Sequence, residues 1–261
     1  MPIVHVQNQY VIPRGRVYID PYDANEQLTG EIPLGNCPEV TIEISQDKWE
    51  HFSSEQGLEE KDAGGAIRVN RTGSITCDNF SPRNAALWLS GAHTVVTQGT
   101  TPVTGEERTV LPGRIYQLGS TAGNPLGVRN VTAITVKNED GTVTYDVGDD
   151  YNVDPENGRV QIVEGGAITA GVVQFGYTPV GGTFDAVQSG ATAELMGALR
   201  VVPDNATGPN DDVYLPKVSL SSSGNLSLIA SGTEPITMEF GMEVLKPANA
   251  QAIYRAGRPV A

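Results

Sequence analysis

The amino-acid sequence predicts an all-β protein with one short helix, in which a small β domain interrupts a larger one. Three observations lead there. Apolar and polar residues alternate with period two in several short runs; turn residues punctuate the stretch between 131 and 177 every few positions; and one segment alone, Phe80–Gly91, carries both start and stop signals for a helix. A chain of 261 residues is long enough to bury a core in one or two domains.

The first 30 or so residues read as an arm followed by a strand, since Pro13 and Gly15 interrupt the early pattern and only Arg16–Asp20 alternates cleanly. An arm that cannot fold alone is either disordered or packed on a neighbour. In Glu39–Ser45, Val40, Ile42 and Ile44 face one way and Glu39, Thr41, Glu43 and Ser45 the other, giving a dry side and a wet, acidic side. Asp47–Gly57 reads as a turn or short helix, because Asp47 and Glu50 have capping-box spacing and Trp49 and Phe52 stand three apart; a polar hairpin loop follows through Glu59–Gly65. The return strand is expected at Ile67–Asn70, with a turn at Thr72–Ser74 before Ile75 and Cys77. Ser81 can cap the helix, Pro82 suits its first position, Gly91 can take a left-handed stop, and Leu87 and Trp88 are placed to cover a sheet.

Thr94–Gly105, rich in Thr, Gly and Val, reads as a connector. Beyond it Val131–Lys137, a turn at Asn138–Gly141 and Thr142–Val147 form one hairpin; Asp150–Asp154, a turn at Pro155–Gly158 and Arg159–Val163 form a second; Val172–Tyr177 closes the unit. This is a nearly helix-free domain of about 75 residues, bounded downstream by Pro179 and Gly181. Strands resume at Gly197–Val202, Val213–Leu220, Leu226–Ala230 after a turn at Ser221–Asn225, and Pro235–Leu245. In the last of these Met238, Phe240, Met242 and Val244 share one face, while Thr237, Glu239, Gly241 and Glu243 share the other. Neither end of the chain has enough strands to close a core by itself, so the flanks are expected to form one domain interrupted by the insertion.

Composition narrows function mainly by exclusion. With 31 Asp and Glu against 17 Lys and Arg, the formal charge is −14, which repels polyphosphates and disfavours sequence-driven nucleic-acid binding. The same sign suits a protein that lets DNA pass without holding it. Cys37 and Cys77 read as free thiols; with neither a signal segment nor a long apolar run, neither export nor a membrane is expected. His5, His51 and His93 are scattered and offer no zinc spacing. The cluster Asp146, Asp149, Asp150, Asp154 and Glu156 has spacings that can hold calcium, but the EF-hand pattern is absent and turns require the same residues, so it reads as surface turns. His51 lies near Ser53 and Ser54 without a third catalytic member, and no glycine fingerprint for a phosphate cofactor is present. No catalytic, cofactor-binding or metal-binding residue is therefore expected.

Two competing classes make their own demands. A carbohydrate-binding or adhesive β-sandwich calls for an export signal or an exposed aromatic platform. A calcium-dependent or carboxylate hydrolase calls for an acidic pair such as Glu43 and Glu239 acting across a sheet. The reading that uses the most features is a sheet whose edges close across subunits, so that its wet face becomes a lumen wall.

Leu34-Gly-Asn-Cys-Pro-Glu-Val-Thr-Ile-Glu-Ile44, then Trp49–Gly57, resemble the early strand and following loop of the major tail tube proteins of long-tailed, siphovirus-like bacteriophages. Thr72–Phe80 running into Ala85–Gly91 does so too, as do Gly197–Asn205, Tyr214–Leu220 and Asn225–Ile229. The likeness covers roughly residues 15 to 95 and 195 to 247. It implies a tail-tube β-barrel or sandwich domain at 1–105 and 183–261, interrupted at 106–182 by a small immunoglobulin-like accessory domain. It further implies self-association into hexameric rings that stack into a tube in the virion tail, assembled in the host cytoplasm. Partners would be the tape-measure, terminator and distal tail proteins, and genomic double-stranded DNA would pass down the lumen during ejection. Glu39, Thr41, Glu43, Thr237, Glu239 and Glu243 are then the candidate lumen-facing residues, Asp47–Gly65 a contact loop within or between rings, and the insertion an outer decoration. A capsid decoration protein or the tube of a contractile injection system would leave similar patterns.

Overall fold

The computed structural model describes residues 8–55, 57–190 and 195–259, so the first seven residues of the expected arm lie outside the described residues. In chain order the elements are β1 (Gly15–Pro21), β2 (Ile32–Pro33), β3 (Glu39–Ser53), β4 (Glu60–Cys77), α1 (Pro82–Trp88), β5 (Ala92–Gln98), β6 (Val103–Val110), β7 (Ile115–Gln117) and β8 (Val131–Asn138). They continue with β9 (Tyr151–Asp154), β10 (Arg159–Ile162), β11 (Gly171–Pro179), β12 (Gly182–Gln188), β13 (Leu195–Pro203), β14 (Asp211–Ser223), β15 (Met238–Val244) and β16 (Tyr254–Gly257). The protein is all-β with one short helix and several sheets. Two compact units divide it, one formed by Met1–His93 with Val187–Ala261, the other by Thr94–Ala186.

In the first unit eight strands form one sheet in the order β2-β1-β13-β14-β15-β4-β3, with β16 added on β14. Strands from both ends of the sequence interleave: β1 pairs with β13, and β4 with β15. Its core gathers Val17, Ile19, Leu34, Ile75, Leu199, Leu215, Phe240 and Met242, with Leu87 and Trp88 of α1 packed against it. β15 alternates as expected, burying Met238, Phe240, Met242 and Val244 and exposing Glu239 and Glu243.

Helix α1 starts as its sequence dictates. Pro82 opens it, and Ser81 Oγ accepts the Asn84 N–H at 3.2 Å. Asn84, buried, donates its side-chain amide to Leu34 O at 2.7 Å and Asn79 O at 2.9 Å, tying the helix to the loop ahead of β3. The stop differs from expectation. Ser90, with φ 49°, takes the left-handed conformation, and Gly91 is required for closeness instead, since a Cβ there would collide with the Gln188 carbonyl.

The largest departure is the hairpin. Asp47–Gly57 is no helix and Glu59–Gly65 no loop: β3 runs to Ser53, β4 begins at Glu60, and the two pair along their whole length with shifts at Asp47/Lys48 and His51/Phe52. Cross-strand ion pairs Arg68–Asp47 and Lys61–Glu50 and a His51–Asp62 hydrogen bond follow from that pairing. Thr72–Ser74 is likewise strand. Gly73 lets β3 and β15 approach, because a Cβ there would meet the Thr41 carbonyl and Met242 Cε. Thr94–Gly105 contributes strands β5 and β6 in place of a bare connector, and β14 continues to Ser223 through part of the expected turn. The strand expected at Leu226–Ala230 is absent: Leu228 and Ile229 lie in an irregular segment, exposed.

The second unit holds two three-stranded sheets, β7-β10-β9 and β6-β11-β8, over a core of Val110, Leu118, Val136, Tyr151, Val160, Ile162 and Phe175. Of the expected return strand Thr142–Val147 there remain isolated bridges, Lys137 to Thr144 among them, around the Gly141 turn. Half-buried Glu106 knits the unit, accepting from Tyr177 Oη at 2.7 Å and the Gly119 N–H at 3.0 Å while pairing with Arg108 at 2.7 Å. Burial, with the Glu106 contact added, raises the Tyr177 pKa well above its usual value.

Candidate functional site

Directly paired residues of antiparallel strands point to the same face, so the register alone fixes which side chains stand together. Glu39 faces Thr76, Thr76 faces Glu239, and Glu239 faces Ser223. The next row on that face is Thr41, Ser74, Gly241 and Ser221, and the third is Glu43, Thr72, Glu243 and Ser219. Thr41 and Ser74 share a hydroxyl hydrogen bond of 2.8 Å. No Lys, Arg or His occupies any of the three rows. Glu39, Thr41, Glu43, Glu239 and Glu243 are all exposed.

Five of the six residues singled out from the sequence therefore share one face. Thr237 does not join a row: it precedes the first residue of β15 and is exposed. The sequence reading overlooked Thr72, Ser74, Ser221 and Ser223, which it placed in turns. Their signal was present, since Thr72, Ser74 and Thr76 alternate with Gly73, Ile75 and Cys77.

Within a row the carboxylates are separated by the intervening β4, about two strand spacings or roughly 9.6 Å. At that distance in water two charges repel by about 0.4 kcal/mol, so the row tolerates its like charges without a bound cation. Glu43 and Glu239, the pair considered for hydrolysis, stand in different rows as well as on different strands.

The opposite face is apolar. Val40, Ile75 and Phe240 form a row there, packed on the core. Farther along the hairpin that face is uncovered, because β15 pairs with β4 only between Thr72 and Cys77. Ile42 is 38% exposed, Ile44 57% and Val69 41%, against the expectation that Val40, Ile42 and Ile44 are all dry. Apolar residues thus continue from the core out along the hairpin, set against Arg71 opposite Ile44 and Gln46 opposite Val69.

Both ends of the sheet keep unpaired backbone. Among the described residues β3 pairs only with β4, and β2 covers β1 only at Tyr18 and Ile19. A groove of about 480 Å³ is lined by Gly15 and Val17 of β1, Glu39 and Thr41 of β3, and the ion-paired Asp211 and Arg255. The sheet curls far enough for β1, next to its end strand β2, to face β3 across that groove.

The acidic cluster of the second unit builds turns. Asp150 accepts the Asp146 N–H at 3.0 Å and the Ala167 N–H at 2.7 Å, and Asp154 accepts from Asn157 at 2.8 and 3.2 Å. The Asp146 bond, then the Ala167 bond, hold the Asp150 carboxyl below the usual 3.8. A depressed carboxylate pKa contributes stability above the unfolded value and loses it as pH falls through the folded one. Asp150→Asn is therefore expected to lower the melting temperature at pH 7 by several degrees, and by less at pH 3, below the ordinary value of 3.8, where part of the stabilisation by the ionised carboxylate is already lost. Calorimetry of both proteins at the two pH values reads this directly; an equal drop at both would remove the ionised carboxylate from the account. Among the described residues no three His, Cys, Asp or Glu side chains converge as a metal site would require, and no helix is long and apolar enough to cross a membrane.

Fold and surface together define a class: an all-β protein whose principal sheet carries three acidic and hydroxylated rows across β3, β4, β15 and β14 on the face away from its core, with open edges. The chain belongs to the family described as Protein of unknown function UCP028589, whose model matches residues 10–252. No curated protein matches it.

Proposed function

We propose that this protein is the structural subunit of a phage tail tube, joining its neighbours through open sheet edges into stacked hexameric rings around an acidic lumen that conducts DNA. The observation that carries this reading is the set of three rows free of Lys, Arg and His that begins with Glu39, Thr76 and Glu239, Arg68 farther along that face being paired with Asp47. A wall of carboxylates and short hydroxyls gives a phosphate backbone nothing to pair with, so a duplex slides along it. The open edges of β1 and β3 are the groups a neighbouring sheet would satisfy, closing a barrel across subunits. Ile42, Ile44 and Val69 on the hairpin supply apolar area for contacts within or between rings. The inserted unit, two small sheets over one core, fits an immunoglobulin-like accessory domain decorating the outside. The site of action is then the virion tail.

Electron microscopy of the purified protein, with mass measurement in parallel, tests the reading. Rings or tubes with a central channel are expected as concentration rises. A species that stays monomeric over a wide range of concentration and salt would overturn it.

A further inference from the structure

Cys37 lies two residues before β3, and Cys77 is the last residue of β4. Both are free cysteines, 40 positions apart in sequence, with their sulfurs 3.0 Å apart in space. A disulfide bond is about 2.05 Å long, so the sulfurs need close by only about 1 Å to be joined. Cys77 is fully buried in the core, whereas Cys37 is half-buried and lines the groove between β1 and β3. The two thiols thus differ in access while sharing one contact.

We propose that Cys37 and Cys77 are a redox site that forms a reversible disulfide, Cys37 meeting a small hydroperoxide from the groove and Cys77 resolving it. The Cys37 sulfur attacks one oxygen of hydrogen peroxide. The O–O bond breaks, the departing hydroxide takes the thiol proton and leaves as water, and Cys37 becomes a sulfenic acid. The Cys77 sulfur then attacks the Cys37 sulfur; the S–O bond breaks, and hydroxide leaves with the Cys77 proton as a second water. Two electrons pass from the thiols to the peroxide. The order of events agrees with access: Cys37 faces the groove while Cys77 is buried behind it.

The bond would close everything from 37 to 77 into a covalent loop, pinning the root of the whole β3–β4 hairpin. It holds whether or not the chain assembles. The test exposes the reduced full-length protein to excess hydrogen peroxide. Its mass is expected to fall by about 2 Da, with both thiols lost to titration and both recovered on reduction. Tryptic digestion without reductant should join peptide 17–48, which contains Cys37, to peptide 72–83, which contains Cys77. The oxidised protein should melt several degrees higher, because the cross-link restricts the unfolded chain. In Cys37→Ser, Cys77 should stay a free thiol under the same exposure. Two thiols persisting in the wild-type protein, or a gain of about 32 Da at Cys37 with Cys77 still free, would overturn the proposal.

Discussion

Exchanging Glu239 and Glu243 for lysine is expected to leave assembly of the proposed tube intact and to make that tube hold duplex DNA. Each exchange raises the charge by two, so the subunit moves from −14 to −10 while the change is concentrated in the first and third rows of one sheet face. Every phosphate a lysine neutralises releases counterions, so binding should appear at low salt and fade steeply. The loss should be about tenfold for every two phosphates engaged as salt rises from about 50 to 200 mM. Fluorescence anisotropy of labelled DNA added to preformed tubes measures it, with microscopy confirming that the tubes persist. The control is Glu139→Lys with Asp140→Lys, an equal charge change in an exposed turn of the inserted unit. Equal DNA binding by test and control would mean that net charge alone matters, and that the acidic face lines no conduit.

The second large effect separates folding from assembly along one strip of the sheet. Phe240, 2% exposed, faces Ile75 across the strand pair inside the core, and truncation to Ala should cost about 3–5 kcal/mol in urea unfolding. Ile44 lies on the same face but is 57% exposed, so Ile44→Ala should change the stability of the isolated subunit by no more than about 0.5 kcal/mol. If the hairpin's apolar residues form a subunit contact, Ile44→Ala should nevertheless shift ring formation to higher concentration. Sedimentation at several concentrations reads that shift, and an unchanged profile would take Ile44 out of the interface.

What was legible in the sequence follows from where each signal arises. The faces of β15 are written in its own alternation, and the start of α1 in Ser81 and Pro82, because strand pleat and helix cap are local. The hairpin was illegible for the complementary reason. Asp47, Glu50 and the glycines at 64 and 65 are acceptable to a cap and a loop, and the partner strand that overrides them begins several residues farther on. The stop at Ser90 escaped because Gly91 has two possible uses, and the carbonyl that decides between them belongs to Gln188, far along the chain. For the site, the carboxylates of β3 and β15 were recognisable singly. Their assembly into rows depends on β4 lying between two strands about 200 positions apart, a fact of pairing that no single segment carries.

Strands β5 and β12 form a two-stranded ribbon of their own, joining the segment that enters the inserted unit to the segment that leaves it. Departure and return are therefore already held together by backbone hydrogen bonds, as the two arms of any hairpin are. Such a junction is a natural exchange point in a gene. The intervening segment can be lengthened, swapped for an unrelated module, or cut back to a tight turn, while the ribbon goes on presenting the same two ends to the rest of the chain.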